Sequence, residues 1–457
     1  MITQNKCLIE QAAKRYPSKT ALISNTDELT YEDLSKLVSY YQVKLQDQGL
    51  KKGNSLAIIQ KTSISSIAVI FACINEGIIA CPLNPKWPKA KLQQSIDELK
   101  PKAVWKAEEL IITQLLNKVK LDNLSINYRD QKKDIIPSQI ISSLATSGST
   151  GVEKYCLHRY INHFSSAKQS NSVISLDLND YWLLKLPLHH VSGLSIVFRC
   201  FMAGACIVIS DLPLTQSLET FPITHCSLVL PQLEELIGDD YTHKKNLKHI
   251  LLGGSFFPKK ILKKAIERKL PIHLSYGLTE LSSHIACSQK GDPIDSVGKP
   301  HPTIEIKLNE AGQLLCKGPS LFAGYLINGR FSSPLDNEGW FNTRDLAKLD
   351  QGILKITGRS DTQFVSGGEN IYPEEIESAL MTIPGISFAM VKARQDPRYG
   401  DIPVAFIKCE RPLDETQKEK IDQHIREHLP NYKCPKDYID WPTHIDTNKS
   451  ARQHLTP

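Results

Sequence analysis

Apolar positions in the first part of the chain recur with helical spacing, then strand spacing, then helical again. After Thr30, with Asp33 three residues on, Leu34, Leu37, Val38, Tyr41 and Leu45 fall on one stripe that Gly49 ends. Leu56–Ile59, just past Gly53 and Asn54, predicts a strand. Ile64–Glu76 and Ile78–Pro82 predict a further helix and strand. The alternation returns as strand Tyr181–Leu186, helix Ser192–Ala203, strand Cys206–Ser210, strand Ile250–Leu252 and helix Pro258–Lys269. Strands separated by helices pack as largely parallel sheets with helices on their faces.

From about residue 303 the pattern shortens. Ile304–Leu308, Leu314–Lys317 and Ile353–Thr357 read as strands joined by turns at Glu310–Gln313 and Asp350–Gly352, which predicts an antiparallel part. A last unit holds a helix opened by Pro373, strands Phe388–Ala393 and Pro403–Lys408, and a helix over Asp414–Leu429. The expected fold class is therefore α/β: a large domain, residues 1–360, of mostly parallel sheets flanked by helices plus a small antiparallel part, then a small α+β domain, residues 361–457.

Composition narrows the class. At roughly 150 residues per domain, a chain of this length holds two to four domains. The charge of +6 is interspersed, so no nucleic-acid tract is expected. The longest clean apolar run, Ile67–Ile74, is far short of the roughly 20 residues of a membrane span. The eleven cysteines, several within apolar runs and none in a C-x-x-C pair, suggest reduced thiols and a cytoplasmic location. A homo-oligomer is compatible with the composition but not required by it.

Thr146-Ser147-Gly148-Ser149-Thr150-Gly151, with Lys154 three residues on, follows the apolar stretch Ile140–Ala145. Glycines let successive backbone N–H groups face an anion, hydroxyls add donors, and a lysine adds charge for phosphate oxygens. The same composition also suits a Ser/Thr/Gly surface loop.

Further segments give the run its context. Ser275-Tyr276-Gly277-Leu278-Thr279-Glu280, Gly339-Trp340-Phe341-Asn342-Thr343-Arg344-Asp345, Gly358-Arg359-Ser360-Asp361, and Lys449 followed by Arg452 stand in this order. Together with the Thr146–Gly151 loop they resemble the acyl-adenylate-forming superfamily of acyl-CoA synthetases, luciferases and peptide-synthetase adenylation domains. Pro187–Gly193, Leu251–Ser255 and Val365–Glu377 are similar to its 2-succinylbenzoate–CoA ligase family.

The resemblance implies an ATP-dependent acid–thiol ligase of menaquinone biosynthesis. An acid is adenylated with release of pyrophosphate, and CoA then displaces AMP. It implies Mg²⁺ as cofactor, held by Glu280, with ATP and CoA as co-substrates. Lys449, Thr279 and Glu280 would be catalytic. Thr146, Ser147, Gly148, Ser149, Thr150, Gly151, Lys154, Gly254, Ser255, Ser275, Tyr276, Gly277, Asp345 and Arg359 would hold the nucleotide, with Tyr276 stacked on adenine and Asp345 and Arg359 on the ribose. His190, Ser192 and Arg199 would line the acyl site, and Gly367 and Gly368 would meet the CoA arm. Residues 361–457 would form a mobile lid turning at Asp361.

Arg199 carries the substrate expectation. Its helix is otherwise apolar, so the guanidinium should be buried, and no acidic residue lies at helical spacing to pair with it. A protein carboxylate from elsewhere is one partner. The second carboxylate of 2-succinylbenzoate is the other. Another acyl- or aryl-CoA synthetase and a carrier-loading adenylation domain are the alternative functions. Pro187–Phe201 contains no Asp or Glu, which counts against an amino-acid substrate.

Overall fold

The computed structural model describes residues 2–106, 134–146, 154–238, 246–254, 257–366, 369–397, 400–409, 411–447 and 451–457. Two large sheets dominate. One runs in the order Lys299–Pro300, Ser283–Cys287, Ile272–Leu278, His249–Leu252, His225–Leu228, Tyr181–Leu183, Cys206–Val208, Thr20–Ile23 and Glu28–Thr30. From Ile272–Leu278 to Thr20–Ile23 every pairing is parallel, and the pairs at both ends are antiparallel.

The second sheet runs Arg330–Ser332, Gly324–Ile327, Lys154–Arg159, Ile140–Thr146, Ile79–Leu83, Ser55–Ile59 and Ala103–Trp105. It is parallel only from Ile140–Thr146 onward. Ile64–Glu76, buried along nearly its whole length, and Val191–Ala203 bring Phe71, Phe198 and Phe201 together in the main core.

A four-stranded antiparallel sheet follows, Glu305–Leu308, Gln313–Lys317, Phe341–Asp350 and Ile353–Arg359; the shortened pattern predicts its antiparallel character and three of its strands, but not Phe341–Asp350. Beyond it, Phe364–Ser366, Glu369–Ile371, Ile386–Asp396, Gly400–Cys409 and Asp437–Asp440 form a sheet covered by Pro373–Leu380 and Glu415–His428. These last elements have their own hydrophobic clusters, one around Ile376, Val391 and Ile425 and one around Phe406, Trp441 and Leu455.

Boundaries move by a few residues where local chemistry decides them. Thr30 caps Tyr31–Asp47 through a reciprocal capping box with Asp33. The strands expected to reach Leu186 and Ser210 stop at Leu183 and Val208. Just past these ends Lys185 turns its ammonium onto the carbonyls of Ser210 and Leu212.

Candidate active site

The parallel strands His249–Leu252 and Ile272–Leu278 end beside one another, where α/β sheets open a crevice for ligands. Ile272–Leu278 passes through the one-turn helix Thr279–Leu281 and returns as Ser283–Cys287. The register slips between Tyr276 and Gly277. A Cβ at Gly277 would lie 2.2 Å from the Ser283 carbonyl oxygen, so only glycine allows this close return.

Tyr276 is buried, and its hydroxyl donates to Asp345 Oδ2 at 2.5 Å. Burial and the Asp345 charge hold that phenol well above its usual range, so it stays a donor. Asp345 and Arg359 face each other across an antiparallel pair, and Arg359 Nη1 donates to Asp345 Oδ1 at 2.8 Å. The Nε and Nη2 of the same guanidinium grip Asp361 bidentately, both at 2.8 Å. Burial raises the Asp361 carboxyl, but Arg359 outweighs it and the net displacement is downward. A bidentate arginine–carboxylate pair therefore spans the position expected to hinge.

A second group gathers around Glu280. Tyr325, on the strand facing Lys154–Arg159, donates its hydroxyl to Glu280 Oε1 at 2.7 Å. Lys154 Nζ lies 5.5 Å from the centre of the Tyr325 ring, and Lys154 pairs in register with Thr146. The buried His158 bonds the Thr279 carbonyl through Nε2 at 2.7 Å, so that nitrogen carries the proton. Burial lowers His158 to about 4 and keeps it neutral. Glu280, anchored by one oxygen, offers the hard donor that Mg²⁺ takes at sites built from few protein ligands.

The third group is apolar with one charge. His190 stands at the N-cap position of the helix Val191–Ala203 without a side-chain capping bond, and a Cβ at Gly193 would come within 2.3 Å of the Pro187 carbonyl oxygen. That approach holds the Pro187–Ser192 turn against the helix start. Arg199, on the same helix, is 1% exposed. Its Nη2 donates to Ser283 Oγ at 2.7 Å and its guanidinium lies 5.5 Å from the Trp182 ring centre. Among the described residues no carboxylate pairs with it. Arg199 Nε and Trp182 Nε1 are both buried without a hydrogen-bond partner there. Burial lowers Arg199 to about 10, and it remains a cation at neutral pH. Burial and the Arg199 charge lower the neighbouring His284, so that imidazole does not compete for the role of cation.

The AMP-binding enzyme family matches residues 9–326, and the AMP-binding enzyme C-terminal domain matches residues 375–450. The chain belongs to the AMP-binding enzyme family. Within it, this AMP-binding enzyme groups with the 2-succinylbenzoate–CoA ligases. It is 31% identical to the 2-succinylbenzoate–CoA ligase of Oceanobacillus iheyensis, over 92% of each chain. It is 30% identical to that of Listeria monocytogenes serotype 4b, over 94% of this chain and 93% of the relative. Its fold superposes with a TM-score of 0.88 on Bacillus subtilis o-succinylbenzoate coenzyme A synthetase in complex with AMP, at 25% identity over 99% of this chain and 98% of the other. The same Bacillus enzyme in complex with ATP and magnesium ion gives 0.87, at 25% identity over 98% and 99%.

In this AMP-binding enzyme the structure brings Lys154, with Thr146 paired to it, to the Tyr325 ring whose hydroxyl bonds Glu280, and brings Tyr276 to Asp345, which Arg359 also bonds. Ser275 Oγ donates to the Leu252 carbonyl at 2.9 Å, which joins the strand ahead of Gly254 to the strand carrying Tyr276. Ser192 accepts Ser195 Oγ through its carbonyl at 2.9 Å, in the turn that follows His190. Ser147, Gly148, Ser149, Thr150, Gly151, Ser255, Gly367, Gly368 and Lys449 lie outside the described residues. Tyr276, expected from the resemblance to stack on adenine, also serves as the donor that seats Asp345. Sequence reasoning missed Tyr325, Ser283, Trp182 and His158. Tyr325 belongs to no motif and reaches Glu280 only because its strand pairs with Lys154–Arg159. Ser283 was within reach of inference, since a hairpin after Thr279–Leu281 returns it beside Gly277.

Proposed function

We propose that this AMP-binding enzyme ligates 2-succinylbenzoate to CoA, through an acyl-adenylate, in menaquinone biosynthesis. The observation that carries the substrate reading is the buried Arg199 guanidinium, which no described carboxylate neutralises. An unpaired buried charge is costly. The second carboxylate of 2-succinylbenzoate would complete the pair while the first is activated. Similarity to the Oceanobacillus and Listeria ligases supports the same substrate.

In the first half-reaction a carboxylate oxygen of the acid attacks the α-phosphorus of ATP. The bond to the bridging oxygen breaks and pyrophosphate leaves. Two anions must approach, so positioning and charge neutralisation dominate the barrier. Lys449, Lys154 and the N–H groups of Ser147–Gly151 supply positive ends, and Thr279 bonds a phosphate oxygen. Mg²⁺ held by Glu280 would neutralise charge on the phosphates. Asp345 and Arg359 take the ribose hydroxyls, and Tyr276 stacks on adenine. In the second half-reaction the CoA sulfur forms the thioester, and the acyl–oxygen bond breaks to release AMP.

Residues 1–360 and 361–457 act as body and lid, turning at Asp361. The separate hydrophobic clusters on the two sides support that division. Rotation would withdraw Lys449 and bring in Gly367 and Gly368 along the CoA arm. The eleven free thiols, all but Cys409 buried, support the cytoplasm as the compartment.

Pyrophosphate release measured against a panel of carboxylic acids tests the assignment. 2-Succinylbenzoate should give by far the highest CoA-dependent turnover. Preference for a monocarboxylic aryl or fatty acid would overturn it.

A further inference from the structure

Arg452 lies three residues beyond Lys449, in the one-turn helix Ala451–His454. Its Nη2 donates to Glu377 Oε1 at 2.6 Å and lies 3.6 Å from Glu374 Oε1. Its Nη1 donates to the Val391 carbonyl, while the Val391 N–H donates back to Glu377 Oε1 at 2.7 Å. Ala451 and Leu455, on either side, are buried in the cluster around Phe406 and Trp441. Lys392 Nζ closes the turn on the Leu455 carbonyl at 2.6 Å.

The other end of this network is the expected hinge. Glu374 and Glu377 both sit on the helix Pro373–Leu380. Thr362, the residue after Asp361, places its hydroxyl 2.9 Å from Glu374 Oε1 and 3.0 Å from the Arg359 carbonyl. That hydroxyl has one proton, so it can serve only one of these acceptors at a time. A Cβ at Gly358 would meet Glu374 Oε2 at 3.2 Å. One helix thus touches the hinge through Glu374 and the C-terminal turn through Glu377.

We propose that Arg452 is a positioning residue for the adenylation half-reaction: clamped by Glu377 and Glu374, it ties the segment carrying Lys449 to the helix that begins beside the hinge. Three trans peptide units allow at most about 11 Å between the Cα atoms of Lys449 and Arg452. Fixing Arg452 therefore bounds where the lysine can go and makes it travel with the lid. The clamp's partners, Glu377, Glu374 and the Val391 carbonyl, are not expected CoA contacts, so the thioester step should proceed without it. The inference rests on the catalytic reading of Lys449.

The test uses the full chain, with pyrophosphate release in a single turnover for the first half-reaction and thioester formation from preformed acyl-adenylate plus CoA for the second. Arg452→Gln should slow the first about 10- to 100-fold, the size of effect a misplacement near 1 Å produces, and leave the second within about twofold. Glu377→Gln, which keeps the side chain's shape, should slow the first by a smaller factor in the same direction. Arg452→Lys should recover part of the loss. Unchanged adenylation in the folded Arg452→Gln and Glu377→Gln proteins overturns the proposal, and so does equal slowing of both steps. Lys449→Ala is assayed alongside. If it abolishes adenylation while the clamp variants do not, only the clamp falls. If it leaves adenylation intact, both readings fall.

Discussion

The Tyr276 hydroxyl donates to Asp345 at 2.5 Å inside the fold, and Arg359 holds the opposite oxygen of the same carboxylate at 2.8 Å. The group proposed to receive the ribose is thus held from two sides. Removing the phenol leaves a buried carboxylate short of one donor. Hydrogen bonds to charged groups contribute about 1.5–3 kcal/mol. Tyr276→Phe should therefore lower unfolding stability by about that amount and raise the KM for ATP, while the KM for CoA changes little. Denaturant melts and steady-state kinetics check this. A phenylalanine variant equal to wild type in both would mean the bond is incidental.

In the proposed mechanism Lys449 and Asp361 divide the two half-reactions between them. Lys449→Ala should block adenylation but let preformed acyl-adenylate react with CoA. Asp361→Pro, which fixes φ near −65° at the hinge, should impair thioester formation more than adenylation. Because Asp361 is also gripped by Arg359, Asp361→Asn is the control that weakens the ion pair without restricting the backbone. A proline variant indistinguishable from the asparagine variant in the ratio of the two rates removes the hinge role.

Acid should unfold this protein early. Burial holds His158, His225, His249 and His301 at about 4, below the ordinary value of 6.5. Folding therefore disfavours their protonation. The stability they share is complete above about pH 6.5 and is lost as pH falls towards 4, because the unfolded chain then binds more protons. Denaturant midpoints measured between pH 7 and 4.5 should drop steeply. Flat midpoints over that window would mean these imidazoles gain protons inside the fold without penalty.

Much of this was legible in the chain. Thr30 and Asp33 announce their capping box, and the shortened strands after residue 303 announce an antiparallel sheet. The motif residues Tyr276, Asp345 and Arg359 do converge, although the periodicity marked no strand at Ile272–Leu278 or Phe341–Asp350 and ended the last one at Thr357, two residues short of Arg359. What stayed hidden depends on pairing between distant strands. Tyr325 meets Glu280 because Gly324–Ile327 lies antiparallel to Lys154–Arg159, and no local spacing encodes that choice. The clamp on Arg452 was hidden for the same reason: Glu377 and Val391 reach it only through the packing of the final domain. Where Tyr181–Leu186 was expected to continue, the strand stops at Leu183 and Lys185 bonds two carbonyls, a side-chain contact that periodicity does not register.

Arg199 carries the proposed choice of substrate, and one comparison tests it. The kcat/KM for 2-succinylbenzoate is divided by that for the same aryl keto-acid lacking the ring carboxylate, in wild type and in Arg199→Gln. Losing one partner of a buried charge pair costs roughly 2–4 kcal/mol, or about 30- to 1,000-fold. The wild-type ratio should fall by a factor in that range in the variant, with the KM for ATP nearly unchanged. A folded Arg199→Gln enzyme that keeps the wild-type ratio would show that Arg199 does not read the second carboxylate and would contradict the assignment of substrate.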